Sequence, residues 1–292
     1  MKPAPFEYFR HRTIEEALAL LAEHAGEAKP LAGGQSLIPA MNFRLATPAV
    51  LVDLNGLDDL AYIKDADDAV RIGGMTRQRA VERSALISRE LPLVAETMPF
   101  IAHPAIRNRG TVGGSLAHAD PAAELPAVML ALDARFELRG PKGARSVSAG
   151  DFFTGLFSTA VEPGELLTEV AVPKMPKRTG VAFQEVSRRH GDFALVGVAA
   201  SITLDESGTC ARARIALLSV GDRPLLAEQA ARLLAGRTPS AEAMHAAAEA
   251  AATTDIDPSS DIHASARYRR QLARVLTRRV LKKAFARAAL SR

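Results

Sequence analysis

Cysteine is nearly absent from this sequence, which has one such residue, Cys210, among 292. A disulfide within the chain is therefore excluded, and this sparing use of cysteine is typical of a cytoplasmic protein. One thiol also excludes an iron–sulfur cluster that is bound through several cysteines of this chain. Any such cluster that works with the chain must be held by a partner.

Long apolar runs are missing as well. No stretch reaches the roughly 18 consecutive apolar residues that a membrane-spanning helix requires. The first eight residues contain two prolines and no apolar segment, so we expect no secretory leader there. These features predict no membrane span and a cytoplasmic location.

Acidic residues are absent after Asp261, whereas residues 267–292 are rich in Arg and Lys. Apolar residues recur there at helical spacing, so we interpret the cations as the solvated face of a packed helix. A charge run alone does not indicate nucleic-acid binding, and an anionic partner subunit would fit this face equally well. The apolar positions are Tyr268, Leu272, Val275, Leu276, Val280 and Phe285.

The length favours two domains, the first of them divided in two. Residues 1–57 form the first unit, in which Thr13 and Glu16 match a helix capping box. The other elements predicted in this unit are strands at 29–31 and 50–54 and a helical piece at 36–44.

Residues 58–175 form the second unit. Segment 101–120 shows neither a helical nor a strand period, and a structureless loop of that length is more often functional than idle. Thr76 is predicted to cap a helix. The predicted elements are a hairpin at 60–74, helices at 76–85, 91–98 and 124–132, a hairpin around 140–143 and a strand at 166–172.

Residues 176–292 form the third unit, which follows a proline-containing linker at 174–180. Strands come first and helices after them, the order of an α+β domain. We predict a three-stranded antiparallel sheet from 182–187, 196–204 and 212–220, followed by helices at 225–234, 241–252 and 264–289.

Two segments combine adjacent glycines with hydroxyl residues, at 32–36 (Ala-Gly-Gly-Gln-Ser) and 111–115 (Thr-Val-Gly-Gly-Ser). Glycine lets the backbone approach a ligand, and successive free N–H groups form a concavity that suits phosphate oxygens. Two such loops can clamp a pyrophosphate without a lysine. Neither a P-loop nor a Gly-x-Gly-x-x-Gly motif after a strand is present. A diglycine alone is equally consistent with a tight turn, which is how we interpret Gly73 and Gly74.

The second segment continues to Glu124 as Leu-Ala-His-Ala-Asp-Pro-Ala-Ala-Glu. Together with residues 32–36, it resembles the FAD-binding medium subunit of the molybdenum hydroxylases, the family of xanthine dehydrogenase and aerobic carbon monoxide dehydrogenase. The resemblance spans essentially the whole chain. It includes residues 2–8 (Lys-Pro-Ala-Pro-Phe-Glu-Tyr), 107–110 (Arg-Asn-Arg-Gly) and 187–194 (Ser-Arg-Arg-His-Gly-Asp-Phe-Ala).

This resemblance implies a p-cresol methylhydroxylase-type FAD-binding domain in two subdomains, followed by the C-terminal domain. Segment 31–38 matches the first FAD loop and segment 111–115 the second, while Glu124 falls at an acidic position that bonds ribityl or ribose hydroxyls. The implied cofactor-binding residues are Leu31, Ala32, Gly33, Gly34, Gln35, Ser36, Leu37, Ile38, Ile101, Gly110, Thr111, Gly113, Gly114, Ser115, His118, Asp120, Glu124, Leu167 and Phe193.

Some positions depart from the family pattern or allow a simpler role. Many relatives have Asn in place of Ser115 and His in place of Gln35, and the absence of that His, with Cys210 far away, implies non-covalent FAD. His118 is also consistent with a loop histidine that bonds only backbone, Asp120 with a turn former, and Phe193 with ordinary core.

The resemblance also implies partners: a large subunit with a molybdenum cofactor and a small subunit with [2Fe-2S] clusters, in a dimer of heterotrimers. Electrons then pass through the FAD of this chain to an external acceptor such as a quinone, NAD or dioxygen. The chain itself supplies no metal ligand and no catalytic acid or base. Two other hypotheses are a stand-alone flavin oxidoreductase and a flavin-free assembly subunit.

Overall fold

The computed structural model describes residues 2–291. Met1, the first residue of the first predicted unit, and Arg292, the last residue of the third, lie outside the described residues. The first unit is a parallel sheet in the order β1-β3-β2, flanked by two helices. Thr13 caps the first helix as predicted, since its hydroxyl accepts the N–H of Glu16. The elements are β1 (Glu7–Arg10), α1 (Ile14–Glu23), β2 (Ala28–Leu31), α2 (Leu37–Asn42) and β3 (Val50–Asp53).

The second unit contains a five-stranded antiparallel sheet and seven short helices. Its strands are β4 (Ile63–Asp65), β5 (Ala69–Gly73), β6 (Arg135–Gly140), β7 (Gly143–Ser148), β8 (Phe153–Gly155), β9 (Ser158–Thr159) and β10 (Leu166–Pro173). The helices are α3 (Gln78–Arg83), α4 (Ala85–Glu90), α5 (Pro92–Thr97), α6 (Pro104–Arg107), α7 (Val112–His118), α8 (Glu124–Ala131) and α9 (Ala149–Phe152). The sheet order is β4-β5-β10-β6-β7, which confirms both predicted hairpins.

The third unit is an antiparallel sheet followed by three helices, so the predicted α+β order is confirmed. Its strands follow each other in the sheet in chain order, and helix α12 lies against the first two of them. The elements are β11 (Thr179–Ser187), β12 (Ala194–Leu204), β13 (Cys210–Leu218), β14 (Leu225–Leu226), α10 (Glu228–Leu234), α11 (Ala241–Thr253) and α12 (Ala266–Leu290).

One apolar core continues from the second unit into the third. All eight residues of α8 are buried, and Phe183, Ala199 and Leu218 of the third sheet belong to the same cluster as Phe136. Because burial of apolar area is the main favourable term in folding, this shared core fixes the third unit against the second. The end of α8 therefore has a defined position relative to β11 and β13.

Glu96 of α5 adds a polar joint between the same two units. Its carboxylate accepts hydrogen bonds from Lys283, at 2.7 Å, and from Arg287, both on α12. It also accepts the N–H of Phe183 at 3.3 Å. The paired cations hold the pKa of Glu96 below its usual range against the opposing effect of burial.

Helix α12 confirms the predicted basic C-terminal helix. Leu276, Val280 and Phe285 are buried, although Tyr268 is exposed. Five cations of the helix bond carboxylates of this chain and so stabilise the fold locally: Arg269, Arg270, Arg274, Lys283 and Arg287. None of the helices in residues 2–291 is both long and apolar enough to cross a membrane.

The prediction that Thr76 caps one helix over residues 76–85 is wrong. The Thr76 hydroxyl accepts the Tyr62 N–H at 3.0 Å and donates to the Tyr62 carbonyl at 2.8 Å, so it is bound to the neighbouring chain segment. Helix α3 begins at Gln78, and the hydroxyl of Ser84 starts a second helix by accepting the N–H of Ile87. Side-chain hydrogen bonds of Thr76 and Ser84 thus divide a segment whose sequence predicts one helix.

Two further elements differ from the sequence prediction. Segment 101–120 contains α6 and α7, whose four and seven residues are too few for a period to be visible. Leu225 and Leu226 pair with β13 instead of opening a helix, so a two-residue fourth strand extends the predicted three-stranded sheet. The first change matters for function because α7 carries the second glycine segment.

Cys210 is the first residue of β13 and is fully buried. Its backbone N–H donates to the carbonyl of Arg237, which ties the strand to the loop after α10. Burial raises the pKa of the Cys210 thiol to about 11, because the apolar surroundings disfavour the thiolate. The thiol is therefore part of the core.

Candidate functional site

The two predicted glycine segments lie directly against each other. A side-chain carbon added to Gly33 would come within 2.8 Å of the Gly110 Cα and would collide with the carbonyl of Arg109. Gln78 also donates its N–H to the Gly110 carbonyl at 2.8 Å. Gly33 and Gly110, 77 positions apart in sequence, therefore meet backbone to backbone, and only glycine allows that approach.

The first segment leaves its backbone donors free. The N–H groups of residues 33–37 bond no oxygen among the described residues, and helical bonding starts when Ile38 donates to Gly34 at 3.1 Å. Gly34 has φ +72°, which turns the chain into α2, and the Gln35 side-chain amide donates to the Gly33 carbonyl at 3.0 Å. Ser36 precedes α2 without making a capping bond. Consecutive unbonded N–H groups at a turn are a set of donors that suits an anionic group.

The second segment uses all of its backbone donors except the Thr111 N–H within the protein, contrary to the expectation that both loops present free N–H groups. The Thr111 hydroxyl caps α7 by accepting the Gly114 N–H at 3.0 Å. Val112 donates to the Thr76 carbonyl and Gly113 to the Gly74 carbonyl, at 3.0 and 2.9 Å. What remains available for a ligand is the face of the first helical turn, including the half-buried Ser115.

The turn predicted at Gly73 and Gly74 is confirmed, since Thr76 donates its N–H to the Gly73 carbonyl at 3.0 Å, and Gly74 also lies directly behind the second segment. A side-chain carbon on Gly113 would lie 2.6 Å from the Gly74 carbonyl oxygen, and one on Gly74 would collide with the carbonyl of Leu167. Three backbones are thus stacked where α7 crosses the ends of β5 and β10. The sequence signal was the diglycine itself, which we interpreted as a turn before the predicted helix at 76–85.

Asn55 and Arg77 join the two glycine segments. The Asn55 amide donates to the Ala32 carbonyl at 3.0 Å, and its oxygen accepts from Arg77 Nη2 at 2.6 Å. Arg77 Nη1 also donates to the Arg109 carbonyl. Burial, reinforced by the nearby Arg109, lowers the pKa of Arg77. Sequence reasoning missed this joint because Asn55 followed by Gly56 predicts only a turn.

His118 is the last residue of α7, and Asp120 follows two positions later. The His118 ring lies 5.0 Å from the Phe157 ring, centroid to centroid, and burial lowers its pKa while Asp120 opposes that change. Asp120 Oδ1 accepts the Ala122 N–H at 2.9 Å, so Asp120 does form a turn there. Ala119 between them has φ +51° and ends the helix.

Glu124 is the first residue of α8, and only 7% of its surface is exposed. Burial raises its pKa to about 7, and the negative charge of Asp120 adds to the effect. Arg107 acts in the opposite direction but is engaged by Glu82, through two bonds of 2.9 and 3.0 Å. The Glu124 carboxyl is thus a buried acceptor without an ion-pair partner among the described residues.

Glu185 of β11, in the third unit, is a second half-buried glutamate, and sequence reasoning missed it. Its pKa is raised to about 8, first by burial and second by the charge of Glu124. Its Oε2 atom is buried and has no hydrogen-bond partner among residues 2–291. A glutamate in the middle of a strand carries no local sequence signal for such a position.

The predicted apolar positions differ in exposure. Ile101 and Leu167 are buried, at 7% and 9% exposure, and Leu167 lies at the start of β10 beside Gly74. Phe193 is 69% exposed in the loop between β11 and β12, so the alternative that it belongs to the core is wrong. Among residues 2–291, no group of three or more His, Cys, Asp or Glu side chains is arranged to hold a metal ion.

Comparison with known proteins identifies the family. Residues 4–175 match the FAD-binding domain in molybdopterin dehydrogenase, and residues 181–284 match the CO dehydrogenase flavoprotein C-terminal domain. Over 99% of its length, the chain is 46% identical to the alpha subunit of the 6-hydroxypseudooxynicotine dehydrogenase complex of Paenarthrobacter nicotinovorans, covering 97% of that protein. It is 43% identical to the carbon monoxide dehydrogenase medium chain of Afipia carboxidovorans, over 99% of both chains.

The fold agrees with a solved structure of the same group. Reconstituted CO dehydrogenase from Oligotropha carboxidovorans contains a chain that superposes with a TM-score of 0.95 at 42% identity, over 98% of this chain and 100% of that one. The free donors of the first segment and the unpaired Glu124 fit a ligand with a pyrophosphate and hydroxyl groups. The chain belongs to the family of FAD-binding medium subunits of the molybdenum hydroxylases, which are oxidoreductases.

Proposed function

We propose that this chain holds FAD without a covalent bond and passes electrons from [2Fe-2S] clusters of a small partner subunit to an external acceptor. A large partner subunit with the molybdenum cofactor oxidises the substrate, and two such three-subunit units form the complex. The relatives described above are named for substrates as different as carbon monoxide and 6-hydroxypseudooxynicotine. That difference supports selection of the substrate by a subunit other than this one.

The observation that carries this proposal is the row of free N–H groups at residues 33–37, placed against the backbone of Gly110. A pyrophosphate needs several donors at once, and backbone donors fixed by a turn need no reorganisation to supply them. In the proposed site, segment 31–38 bonds the phosphates while Gly113, Gly114 and Ser115 close the opposite side.

The other residues are proposed to orient the rest of the cofactor. Glu124 accepts hydrogen bonds from ribityl or ribose hydroxyls, and Ile101 and Leu167 form apolar walls. His118 and Asp120 line the pocket between these contacts. Phe193, exposed at the protein surface, covers one face of the flavin near the place where an acceptor approaches.

FAD, when bound, supplies the exchange of one and two electrons, and the chain supplies placement and access. No side chain of the chain is assigned as a catalytic acid or base. Covalent attachment is not part of the proposal because Gln35 is bonded to the Gly33 carbonyl and Cys210 is buried in the third unit. The proposed domain limits are residues 1–57, 58–175 and 176–292.

An absorbance spectrum of the purified full chain, followed by acid precipitation, tests the proposal. We expect a flavin spectrum and release of the colour into the supernatant. In a titration of the colourless chain, FAD should bind at least about 100-fold more tightly than riboflavin, because riboflavin lacks the phosphates that residues 33–37 bond.

Three outcomes would overturn parts of this proposal. Colour that stays in the acid precipitate would show a covalent link. Equal affinity for FAD and riboflavin would remove the role of residues 33–37. No uptake of either flavin would favour a scaffold subunit, and turnover of a substrate by the chain alone would favour a stand-alone flavin oxidoreductase.

A further inference from the structure

The Gly33 N–H, the first of the free donors, is oriented by the carbonyl of the residue before it. In a trans peptide the C=O of one residue and the N–H of the next point in opposite directions, and residues 2–291 contain no cis peptide bond. The Ala32 carbonyl accepts a hydrogen bond from Asn55 Nδ2 at 3.0 Å. The Gly33 N–H therefore points away from Asn55, and this one bond fixes its direction.

The two donors that follow are oriented by bonds within the segment itself. The Gly33 carbonyl accepts from Gln35 Nε2 at 3.0 Å, which sets the direction of the Gly34 N–H. The Gly34 carbonyl accepts the Ile38 N–H at 3.1 Å, which sets the direction of the Gln35 N–H. Of these three carbonyl contacts, only that of Asn55 comes from a part of the chain outside the segment.

The Asn55 side-chain amide is held in one orientation by two neighbours of opposite chemistry. Its Nδ2 group donates to Asp53 Oδ1 as well as to the Ala32 carbonyl, and its oxygen accepts from Arg77 Nη2 at 2.6 Å. A carboxylate only accepts hydrogen bonds and a guanidinium only donates them. A flipped amide would face Asp53 with its oxygen and Arg77 with its NH₂ group, so both contacts disfavour the flip.

Asp53 is itself buried and fully bonded at the end of β3. Only 5% of its surface is exposed, and Oδ1 also accepts the Asn55 backbone N–H at 2.9 Å. The other oxygen accepts the hydroxyl proton of Tyr8, on the neighbouring strand β1. Burial acts to raise the pKa of Asp53, but the bonds from Tyr8 and Asn55 together hold it below its usual range. Asp53 therefore faces Asn55 as a carboxylate.

We propose that Asp53 is a positioning residue for the FAD pyrophosphate, acting through Asn55 on the direction of the Gly33 N–H. The carboxylate selects one orientation of the amide, and the amide keeps the Gly33 N–H turned away from itself as a free donor. The inference rests on the proposed function, because the pyrophosphate is the group assigned to residues 33–37. Donors that are oriented in advance lose little freedom on binding, so loss of Asp53 should weaken the phosphate contacts specifically.

Titrations of the FAD-free full chain with FAD and with riboflavin test the proposal. Asp53→Ala should raise the dissociation constant for FAD about tenfold and leave that for riboflavin within about twofold, because riboflavin lacks the phosphates. Asp53→Asn should stay within about threefold of the wild type, since its oxygen can accept from Asn55 and its amide can donate to the Tyr8 hydroxyl. Equal losses for FAD and riboflavin in Asp53→Ala, or an Asp53→Asn variant as weak as Asp53→Ala, would overturn the proposal.

Asp255→Ala is the matched control for loss of stability. Asp255 also accepts two backbone N–H groups, those of Gln229 and Ala230, each at 2.9 Å, but it does so in the first turn of α10 in the third unit. We expect Asp255→Ala to lose about as much stability in urea as Asp53→Ala and to keep the ratio of FAD to riboflavin affinity. A ratio that fell equally in both variants would assign the effect to stability and remove the positioning role.

Tyr8→Phe covers the case in which Asp53→Ala does not fold. This variant keeps the aromatic ring and removes only the bond to the second carboxylate oxygen, so the FAD dissociation constant should rise about threefold with that for riboflavin unchanged. If Asp53→Ala does not fold, an FAD constant that is unchanged in Tyr8→Phe overturns the proposal.

Hydrogen exchange of the Asn55 side-chain amide, followed by NMR in the FAD-free chain, tests the positioning without any flavin. Nδ2 makes two hydrogen bonds, so its protons should exchange at least about tenfold more slowly than those of the exposed Asn108. Asp53→Ala should remove this protection and Asp53→Asn should keep it. Equal exchange in the wild type and Asp53→Ala would overturn the proposal. If the wild type takes up no flavin while the protection depends on Asp53, the proposed function fails and the orientation of Asn55 by Asp53 stands.

Discussion

The segment at residues 31–38 leaves five consecutive N–H groups free, whereas the segment at 110–115 bonds all of its N–H groups within the protein except that of Thr111. Both contain adjacent glycines next to hydroxyl residues, yet glycine serves different purposes in them. In the first, Gly34 permits a positive φ and Gly33 a close backbone approach. In the second, Gly113 permits α7 to stack on β5. The same composition thus leaves free backbone donors in one place and provides a support for them in the other.

Gly113→Ala should have the largest effect, because the added carbon would lie 2.6 Å from the Gly74 carbonyl oxygen, which is fixed backbone. We expect a loss of about 3 kcal/mol of unfolding free energy in urea, with weakened FAD binding. Gly150→Ala is the control, since its added carbon meets only the Ser148 hydroxyl at 3.7 Å. If Gly113→Ala matched the wild type in both measurements, α7 would not depend on this stacking.

Asn55→Ala should come next, since it removes the joint between the two segments. The Ala32 carbonyl loses its donor and Arg77 loses one acceptor, for an expected cost of about 2 kcal/mol in urea unfolding. FAD affinity should fall because the first segment is no longer fixed against the second. Asn108→Ala, at an exposed position after α6, is the control. Equal FAD affinity in the two variants would argue against a joint that positions the site.

Gly34→Ala should have a moderate effect on stability and a specific one on binding. Its φ of +72° strains any L-residue, at a cost of about 1.5 kcal/mol. Gly26→Ala, at φ +89° and with open space around it, should lose a similar amount of stability. FAD titration should separate the two, with reduced affinity for Gly34→Ala alone. A matching loss for Gly26→Ala would point to general destabilisation.

Thr111→Ala should have the smallest effect, about 1 kcal/mol in urea unfolding, because it removes the cap of α7 but no backbone contact. Thr111→Ser keeps the hydroxyl and should stay close to the wild type. If the serine variant were as unstable as the alanine variant, the methyl group of Thr111, which is buried, would be the more important part.

Strong local signals made much of the fold predictable. The Thr13 cap, the hairpin at residues 60–74 and the apolar α8 all rest on residues within a few positions of one another, and all are confirmed. Thr76 failed as a predicted cap because its hydroxyl bonds Tyr62, fourteen positions away. Long-range partners of this kind override local preference, and the sequence does not display them.

The candidate site was predictable in its glycine segments and less so in its supports. Gly33 and Gly113 belong to recognisable patterns, but Asn55, Arg77 and Glu185 act through partners 22 or more positions away. Their residue types are common at turns, helix starts and strands. Only the folded arrangement shows that Asn55 and Arg77 meet between the two glycine segments and that an oxygen of Glu185 is buried without a partner among residues 2–291.

The buried thiol described for β13 has a practical consequence. Cys210 is the one cysteine of the sequence, and its inaccessibility makes it a poor target for maleimide reagents. A cysteine introduced at an exposed position, such as that of Phe193, would then be the preferred attachment point for a fluorophore or spin label. The natural chain can therefore be labelled at one introduced cysteine, without first removing Cys210, to measure distances between its surface and a docked subunit.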